Sequence, residues 1–417
     1  MYSRKLVPRI EEMLKEFRVV YLTGPRQAGK TTVVRALAEQ VGMQYMTLDQ
    51  QAVLESAMHD PHGLIEGMGD NKVALDEFQY APSLIPAIKA VSDALPRTER
   101  GKFLLTGSAD IFRSAKAQES LPGHMARLEL YPLAIGELTG RSHNLVDYLC
   151  AGEFQTKAVS PLSRDQIGQW ILQGGYPEVQ DLSPRARQAW FRSYVEGRLF
   201  KDFETLYTAR GDYHSRLQAL APYLAGLCGN LLKYASIAND LGLDDKVVKA
   251  YMEILELMFI VRRVPAWLKN RAKRLVSGMP KLHYVDTGLA CHLLGLRTAE
   301  QLFSSQYYGG LLENLLYMEC CKQAGWAQED ISLYHFRDNR KHEVDLVIEQ
   351  SNGEIIGVEI KASASIRMED FKGLNILADY AGSKFRHGVV LYTGREILPF
   401  THGQNKFHAV PVGLLLG

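Results

Sequence analysis

The sequence has almost no surplus of charge of either sign. In 417 residues, 48 lysines and arginines stand against 47 aspartates and glutamates, so that the net charge is +1. This balance excludes a general electrostatic attraction to nucleic acid or to an acidic surface, and any nucleic-acid contact must come from a local cluster of charge. Cysteines are also few. The five of them lack the paired spacing of a zinc site or a disulfide framework, and an odd number favours a reducing compartment.

Long apolar runs are missing as well. The N-terminus has no apolar core of the kind found in signal peptides, and no run approaches the roughly 20 residues that a membrane helix needs. We therefore expect a cytoplasmic protein with no membrane partner. A hydrophobic fraction of 46% with 23% charged residues is ordinary for a globular protein with buried cores.

Short apolar strands alternate with helical segments in the first third of the chain. The predicted strands are Arg18–Thr23, Gln44–Leu48, Lys72–Leu75, Lys102–Leu105 and Arg127–Leu130. Helical intervals between strands imply crossover connections, and hence an α/β fold with a mostly parallel sheet. Helices then dominate, and strands return in the last third. We predict three domains, at residues 1–160, 161–304 and 305–417.

A phosphate-binding loop follows the first predicted strand. Residues 24–31 read GPRQAGKT and match the pattern G-x-x-x-x-G-K-[ST] between a strand and a helix. Backbone N–H groups of such a loop surround phosphates, while the lysine reaches the β- and γ-phosphates and the threonine hydroxyl binds Mg²⁺. The sequence therefore predicts a site for ATP and Mg²⁺. The residues expected to hold the nucleotide are Gly24, Pro25, Arg26, Gln27, Ala28, Gly29, Lys30, Thr31 and Thr32.

Acidic and polar residues end the next two strands of the predicted sheet. Asp76 and Glu77 follow an apolar strand, as in a Walker B motif, where the first acid holds Mg²⁺ and the second polarises the attacking water. The strand at Lys102–Leu105 ends in Thr106-Gly107-Ser108, and one of the two hydroxyls is expected to sense the γ-phosphate. Ser108 is the favoured residue and Thr106 the alternative.

Several motifs together resemble one family. GPRQAGKTT, LDEFQ at 75–79, TGSA at 106–109, the stretch from Ser120 to Leu138 and GGYPE at 174–178 are similar to a group of bacterial and archaeal AAA-type ATPases. These carry a C-terminal domain of unknown function related to restriction-type nucleases. The resemblance covers nearly the whole chain and implies an N-terminal AAA-type ATPase domain in a multimeric assembly.

The sequence departs from this family at one position of interest. Similar proteins often have an arginine where this chain has His124, and that arginine is a candidate arginine finger. Arg127 and Arg113 are the nearest replacements. An arginine supplied by a neighbouring subunit would connect hydrolysis to assembly of a homo-oligomer. Both arginines are equally compatible with a solvated surface.

The helical middle region contains a helix-turn-helix pattern. Residues 234–242 and 245–257 predict two helices, with small Ala238 and Gly242 where helices pack closely. A ribbon with a basic tip follows at Trp267–Arg274, which suggests a winged helix that contacts DNA phosphates. The alternative is a protein-contact domain, since Asp244 and Asp245 would repel DNA. The residues expected to contact DNA are Lys246, Lys249, Lys269, Arg271, Lys273 and Arg274.

Two alternating strands around Ser351-Asn352-Gly353 predict a hairpin in the last third. Antiparallel pairing would bring Asp345 close to Glu359, with Lys361 on the same face. This spacing resembles the metal-dependent PD-(D/E)XK nuclease core, which implies that Asp345 and Glu359 bind Mg²⁺ and that Lys361 activates water. Glu313, on an upstream helix, is the candidate for a further metal ligand. A restriction-endonuclease-like α/β domain is expected, and its residues are equally compatible with binding without cleavage.

Two functions are compatible with these motifs. The first is an Mg²⁺-dependent, DNA-binding ATPase that remodels or translocates DNA, with branched or broken DNA as the suggested substrate. The second is an ATP-dependent switch for protein partners in which the nuclease fold is a scaffold. The near-zero net charge favours the second.

Overall fold

The computed structural model describes residues 2–109, 123, 125–141, 143–154, 162–206, 212–274 and 278–416. Contacts divide the chain into two compact units, one of Met1–Leu133 with Leu257–Ile260 and one of Ala134–Glu256 with Val261–Gly417. The predicted middle and C-terminal domains thus lie in one compact unit. In the described residues, no helix is both long and apolar enough to cross a membrane.

The first unit contains a parallel sheet with the strand order β2-β3-β4-β1-β5. Its strands are β1 Val19–Thr23, β2 Gln44–Thr47, β3 Val73–Asp76, β4 Phe103–Gly107 and β5 Met125–Glu129. Its helices are α1 Val7–Glu16, α2 Lys30–Val41, α3 Gln51–His59, α4 Pro61–Glu66 and α5 Leu84–Ala94. All five predicted strands are present, and the predicted parallel pairing is confirmed.

Burial explains why these strands read as continuous apolar runs. Every residue of β1, β3 and β4 is buried, as expected for a parallel sheet covered on both faces. Side chains of the sheet and of α5 share one core, which contains Tyr21, Phe78 and Phe103. Because the strands run parallel, β1, β3 and β4 end at the same edge, and there the residues predicted to bind nucleotide meet.

The second unit begins with a mostly helical region. Its helices are α6 Ile135–Thr139, α7 Leu145–Ala151, α8 Arg164–Gln173, α9 Pro184–Tyr194, α10 Phe200–Leu206, α11 Tyr213–Ala225, α12 Tyr234–Leu241 and α13 Asp245–Leu257. The predicted pair of helices is present as α12 and α13. Ala238 is buried as expected. Close packing does not explain the glycine at position 242, because a Cβ there would meet nothing within 4 Å. Its φ of 63° does explain it. It ends α12 in the left-handed region.

A two-stranded antiparallel ribbon follows the helix pair, but its strands are β6 Val261–Val264 and β7 Lys281–Tyr284. The predicted ribbon tip at Trp267–Arg274 is therefore not a free hairpin. The backbone of Trp267 donates to the carbonyl of His335 at 2.6 Å, and its side chain is fully buried in the C-terminal core. Burial of one large aromatic side chain is the physical reason that this segment folds onto the sheet.

The C-terminal part of the unit is a mixed sheet with the strand order β12-β13-β11-β10-β9-β8. Its strands are β8 Ile331–Arg337, β9 Glu343–Gln350, β10 Ile355–Lys361, β11 Phe385–Tyr392, β12 Leu398–His402 and β13 Asn405–Pro411. The remaining helices are α14 Thr287–Leu293, α15 Ala299–Ser304, α16 Tyr308–Ala324, α17 Lys372–Ala381 and α18 Val412–Leu416. The predicted hairpin is the antiparallel pair β9–β10, with Gly353 at φ 84° in its turn.

Candidate active site

The phosphate-binding loop connects β1 to the first turn of α2. Gly29 precedes α2 with a left-handed φ of 94°, and Gly24 has a φ of 150°. A Cβ on Gly24 would lie 2.1 Å from the carbonyl oxygen of Leu130, so no other residue fits without moving the backbone. The glycines thus bring the loop backbone close against the end of β5, as a phosphate cradle requires.

Lys30 lies at the N-terminus of α2 and is buried. Its ammonium donates to the carbonyl oxygens of Gly24 and Pro25, at 2.8 Å each. Burial lowers the pKa of Lys30 to about 8, although Glu77 and Asp76 act in the opposite direction. In the part of the chain that the structure describes, its hydrogen-bond partners are neutral carbonyls. The ammonium is able to exchange them for phosphate oxygens, which bind it more strongly.

Arg4 binds the loop through a hydrogen bond, a contact that was not predicted from the sequence. Its guanidinium donates to the carbonyl of Ala28 and to the carbonyl of Tyr131, at 2.6 Å each, and the residue is buried. By binding the carbonyl of Ala28, Arg4 holds this part of the loop backbone in place. The sequence signal is weak, because an isolated arginine before a helix has no characteristic pattern.

Asp76 ends β3 and is held by two hydroxyl groups. Tyr45 donates to its Oδ2 at 2.8 Å, and Thr106 donates to its Oδ1. Thr106 also accepts a hydrogen bond from the backbone N–H of Glu77 at 3.2 Å. Thr106, one of the two candidate sensors, therefore contacts both acidic residues directly and is itself fully buried.

Glu77 is oriented by Gln79, a residue of the LDEFQ motif for which no role was predicted. Gln79 donates to the Glu77 carboxylate, and the carbonyl oxygen of its side chain accepts from the backbone N–H of Ser108 at 3.1 Å. Gln79 thus joins the second acid to the end of β4. Glu77 has a φ of 57°, a left-handed conformation that is costly for a non-glycine residue and typical of functional sites.

The donors at this edge of the sheet fit a nucleotide with Mg²⁺. A hydroxyl on Thr31 and a carboxylate on Asp76 are hard oxygen ligands of the type that Mg²⁺ prefers. Loop N–H groups and Lys30 supply the donors for phosphate oxygens. The structure therefore brings together the predicted loop residues, both predicted acids and both candidate sensors within one unit.

The three carboxylates predicted to form a second metal site also come together, in the second unit. Glu313 lies on α16, Asp345 on β9 and Glu359 on β10. Burial, with Asp345 nearby, raises the pKa of Glu313 and of Glu359 above the ordinary value. Lys361 forms an ion pair with Glu359 at 2.8 Å.

A lysine that was not predicted from the sequence lies among these carboxylates. The ammonium of Lys281, on β7, is 2.8 Å from Glu313 Oε1 and 2.8 Å from Asp345 Oδ1. In the described part of the chain, no group of three His, Cys, Asp or Glu side chains lies in a position to hold a metal ion. The three carboxylates thus do not form the predicted metal site, because the ammonium of Lys281 is paired with two of them.

The residues predicted to contact DNA do not share one environment. Lys246 and Lys249 are exposed on α13, and Lys269 and Lys273 are exposed in the segment after β6. Arg271 is 65% exposed and contacts Glu349 at 3.1 Å.

Arg274 requires a correction. Its side chain is 4% exposed, forms an ion pair with the buried Glu349 and lies over the rings of Trp267 and Tyr334. A guanidinium in this position stabilises the fold and is not available to DNA phosphates. A surface position was predicted because the residue lies in a basic run.

Of the two candidate arginine fingers, the structure describes only Arg127. Arg127 lies on β5 and forms an ion pair with Glu129 at 2.7 Å. Arg113 and His124 lie outside the described residues.

Models of known families match three consecutive ranges of the chain. Residues 16–139 match the AAA domain family, residues 164–300 a domain of unknown function (DUF8612), and residues 308–415 another domain of unknown function (DUF4143). The first match covers the phosphate-binding loop and both acids. The chain therefore contains an AAA domain and is an ATPase. The predictions of an ATPase and of an N-terminal parallel sheet are thereby confirmed, and the relation of the last domain to nucleases stays a prediction.

Relatives over most of the chain come from mycobacteria. Uncharacterized proteins of Mycobacterium bovis and Mycobacterium tuberculosis are each 26% identical over 363 residues, which are 87% of this chain and 74% of theirs. Among solved structures, a Walker-type ATPase of Pyrococcus abyssi is 14% identical with a TM-score of 0.45, over 70% of this chain and 96% of that chain. A single-residue variant of RuvB from Thermotoga maritima is 13% identical with a TM-score of 0.30, over 63% and 90%.

Proposed function

We propose that the ATPase acts on DNA, and that it remodels or translocates DNA in a homo-oligomer with Mg²⁺-dependent ATP hydrolysis. The observation that carries the DNA part is the helix pair α12–α13 with Lys246 and Lys249 exposed on its second helix. In helix-turn-helix domains the second helix is the one that enters a DNA groove. Branched or broken DNA is the suggested substrate.

The proposed mechanism of ATP hydrolysis follows from the residues of the ATP site. Thr31 and Asp76 would hold Mg²⁺, which neutralises charge on the phosphates when it is bound. Lys30 would bind phosphate oxygens, and Glu77 would orient the attacking water and polarise it. Thr106 and Gln79 act as positioning residues, because they hold the two acids and do not need to touch the substrate. Ser108 remains the proposed contact for the γ-phosphate.

The DNA-binding surface is a winged helix in this proposal. The helix pair is followed by the ribbon β6–β7, and three exposed basic residues lie in the connection between the ribbon strands. These are Lys269, Arg271 and Lys273. Each phosphate contact made by such a side chain adds a salt-dependent contribution to DNA affinity, so binding should weaken steeply as salt rises.

The C-terminal module is proposed to have a restriction-endonuclease-like fold. Its supporting features are the β9–β10 hairpin with Asp345 and Glu359 near its open end, and the helix α16 that brings Glu313 to them. The homo-oligomer is supported by the AAA domain, because such ATPases gain from an arginine of a neighbouring subunit. Arg127 would have to leave Glu129 to act in this way.

A second function is favoured by a specific observation. Asp244 and Asp245 are exposed at the start of α13, beside Lys246, and Arg274 is withdrawn into the fold. This mixed surface suits a protein partner better than a phosphate backbone. The alternative is therefore an ATP-switched protein-interaction scaffold with a non-cleaving nuclease fold.

ATP hydrolysis with and without single-stranded, duplex and four-way DNA, at low and physiological salt, distinguishes the two. The wild type is compared with Lys30→Ala and with a Lys246→Ala/Lys249→Ala variant. DNA-stimulated turnover that disappears in Lys30→Ala, with weaker and less salt-dependent DNA binding in the double variant, supports the first function. Hydrolysis indifferent to every DNA, with no band shift at low salt, contradicts it and supports the second.

A further inference from the structure

A buried lysine lies at the centre of the carboxylate cluster in the C-terminal module. Lys281 is the first residue of β7 and is 1% exposed. Its ammonium is within 2.8 Å of one oxygen of Glu313 and of one oxygen of Asp345. The second oxygen of Asp345 accepts the backbone N–H of Ile360 at 2.9 Å. Both oxygens of Asp345 are therefore already bound within the protein.

The partners of this ammonium are the acidic groups themselves. Glu313 and Asp345 each lie at ion-pair distance from Lys281, and the lysine side chain is almost completely buried. His283, two residues on and fully buried, stacks against Tyr317.

The third carboxylate has a lysine of its own. Lys361 contacts Glu359 Oε1 at 2.8 Å. The other oxygen, Glu359 Oε2, is buried and has no hydrogen-bond partner in the described part of the chain. Mg²⁺ is usually bound through one or two carboxylates together with water, and here each of the three carboxylates already has an ammonium on one of its oxygens.

We infer that Lys281 takes the place of a divalent cation between Glu313 and Asp345, so that this module binds no catalytic metal and does not hydrolyse DNA. A metal ion on these oxygens would have to displace an ammonium that has 2% of its side chain exposed and two ion pairs. Breaking a buried ion pair is strongly unfavourable, because a charge is left without a partner. The cluster is neutralised by the fold itself.

This inference deepens the proposed function, since it concerns the nuclease-like fold of the module, but it does not depend on DNA binding or ATP turnover. In this inference the module does not cleave the substrate of the ATPase. The sequence motif of Asp345, Glu359 and Lys361 gives no sign of this, because the lysine that occupies the site lies on β7, outside the predicted domain at 305–417.

The test measures Mn²⁺ binding to the full chain without nucleotide, with the electron paramagnetic resonance signal of free Mn²⁺ as the readout. All proteins carry Asp76→Asn, which removes the metal ligand of the ATP site. Lys281→Met is compared with Lys322→Met, a matched variant. Lys322 is also a buried lysine in an ion pair, but it lies outside the cluster and pairs with Glu319 at 2.9 Å. Melting temperatures of each protein are measured in EDTA and in Mn²⁺.

The parent protein is expected to bind no Mn²⁺ at the cluster and to melt at the same temperature in EDTA and in Mn²⁺. Lys281→Met should gain a site at least about tenfold tighter than any in the parent, because the ammonium that competes with the metal is gone, and this site should disappear again with Asp345→Asn. Lys322→Met should gain none. Two results would overturn the inference: Mn²⁺ binding or DNA cleavage by the parent that is lost in Asp345→Asn, or a folded Lys281→Met protein that binds no Mn²⁺. If Lys281→Met does not fold, the comparison of the parent with Asp345→Asn decides.

Discussion

The two acidic sites of the molecule each contain a buried lysine, and the two lysines have different partners. In the ATP site, Lys30 contacts the carbonyls of Gly24 and Pro25, while Asp76 is held by the hydroxyls of Tyr45 and Thr106. In the C-terminal cluster, Lys281 contacts the acids themselves. Acids held by neutral donors keep their charge available for a metal, whereas acids paired with an internal ammonium do not.

Acidic residues at matching positions are therefore insufficient evidence for a metal site. What decides is the partner that each carboxylate has in the folded protein. The ATP site orients its acids with hydroxyl and amide groups, which add no charge. The C-terminal cluster satisfies its acids with cations of the same chain.

The largest expected effect tests the charge of the second acid in the ATP site. Glu77→Gln should lower kcat by about 10²- to 10⁴-fold with ATP binding retained, because the variant loses the base but keeps the shape and the contact of Gln79. Single-turnover hydrolysis and nucleotide binding measure the two effects separately. Glu39→Gln, exposed on α2, is the matched control and should be unchanged. A Glu77→Gln protein with more than a tenth of the parent kcat would mean that another group is the base.

The next effect tests whether ion pairs in the second unit stabilise the fold. Arg274→Ala should lower the free energy of unfolding by about 3–5 kcal/mol, because it leaves the Glu349 carboxylate buried without its main partner. Arg271→Ala removes a 65% exposed partner of the same carboxylate and should change stability by less than about 1 kcal/mol.

Denaturant unfolding of both variants gives this comparison directly. DNA affinity should fall in Arg271→Ala if the proposed surface is correct. Equal destabilisation by the two variants would show that Arg274 is no more important to the fold than its exposed neighbour.

A smaller effect concerns the support of the phosphate-binding loop by Arg4. Arg4→Ala should weaken ATP binding and lower the free energy of unfolding by about 1.5–3 kcal/mol, because hydrogen bonds from a charged donor to two buried carbonyls are lost. Isothermal titration with a non-hydrolysable ATP analogue and thermal unfolding measure both. Arg9→Ala, which removes an exposed pair with Glu12, serves as the control. Unchanged ATP affinity in Arg4→Ala would remove the loop-positioning role.

The smallest effect is on pH dependence. Since the pKa of Lys30 is about 8 without nucleotide, its ammonium is mostly present at pH 7 and mostly lost at pH 9. Binding of ATP requires the charged form and therefore takes up a proton above pH 8. Affinity should fall by up to about tenfold from pH 7 to pH 9. Titrations in buffers of different ionisation enthalpy measure this uptake, and Lys30→Arg should lack the decrease.

Much of the first unit was predictable because its determinants are local. The five strands were predicted from apolar runs bounded by helical segments, and the structure places each within two residues of the prediction. The phosphate-binding loop was predictable because its glycines are required by backbone geometry, as the 2.1 Å approach at Gly24 shows. Gln79 and Arg4 were missed, since each contacts residues that are distant in sequence. Gln79 binds Ser108, and Arg4 binds Ala28 and Tyr131.

The second unit shows where prediction from sequence stopped. The helix pair and the β9–β10 hairpin follow from periodicity and turn residues. The basic segment after β6 was read as a wing tip, because its charges are visible in the sequence and the burial of Trp267 against the C-terminal core is not. Gly242 was read as a packing residue, although a positive φ accounts for it.

The sequence by itself determined the ATP site, the strands of the first sheet, the helix pair, the β9–β10 hairpin and the set of acids in the C-terminal module. All of these depend on spacing over a few residues, where chain geometry leaves few arrangements. Only the tertiary structure decided which charges meet. Lys281 reaches Asp345 across 64 positions, and Arg274 reaches Glu349 across 75. Such pairs form because a charged side chain that packing buries is stable only with a partner of opposite charge. Packing between distant segments cannot be predicted from a local sequence pattern.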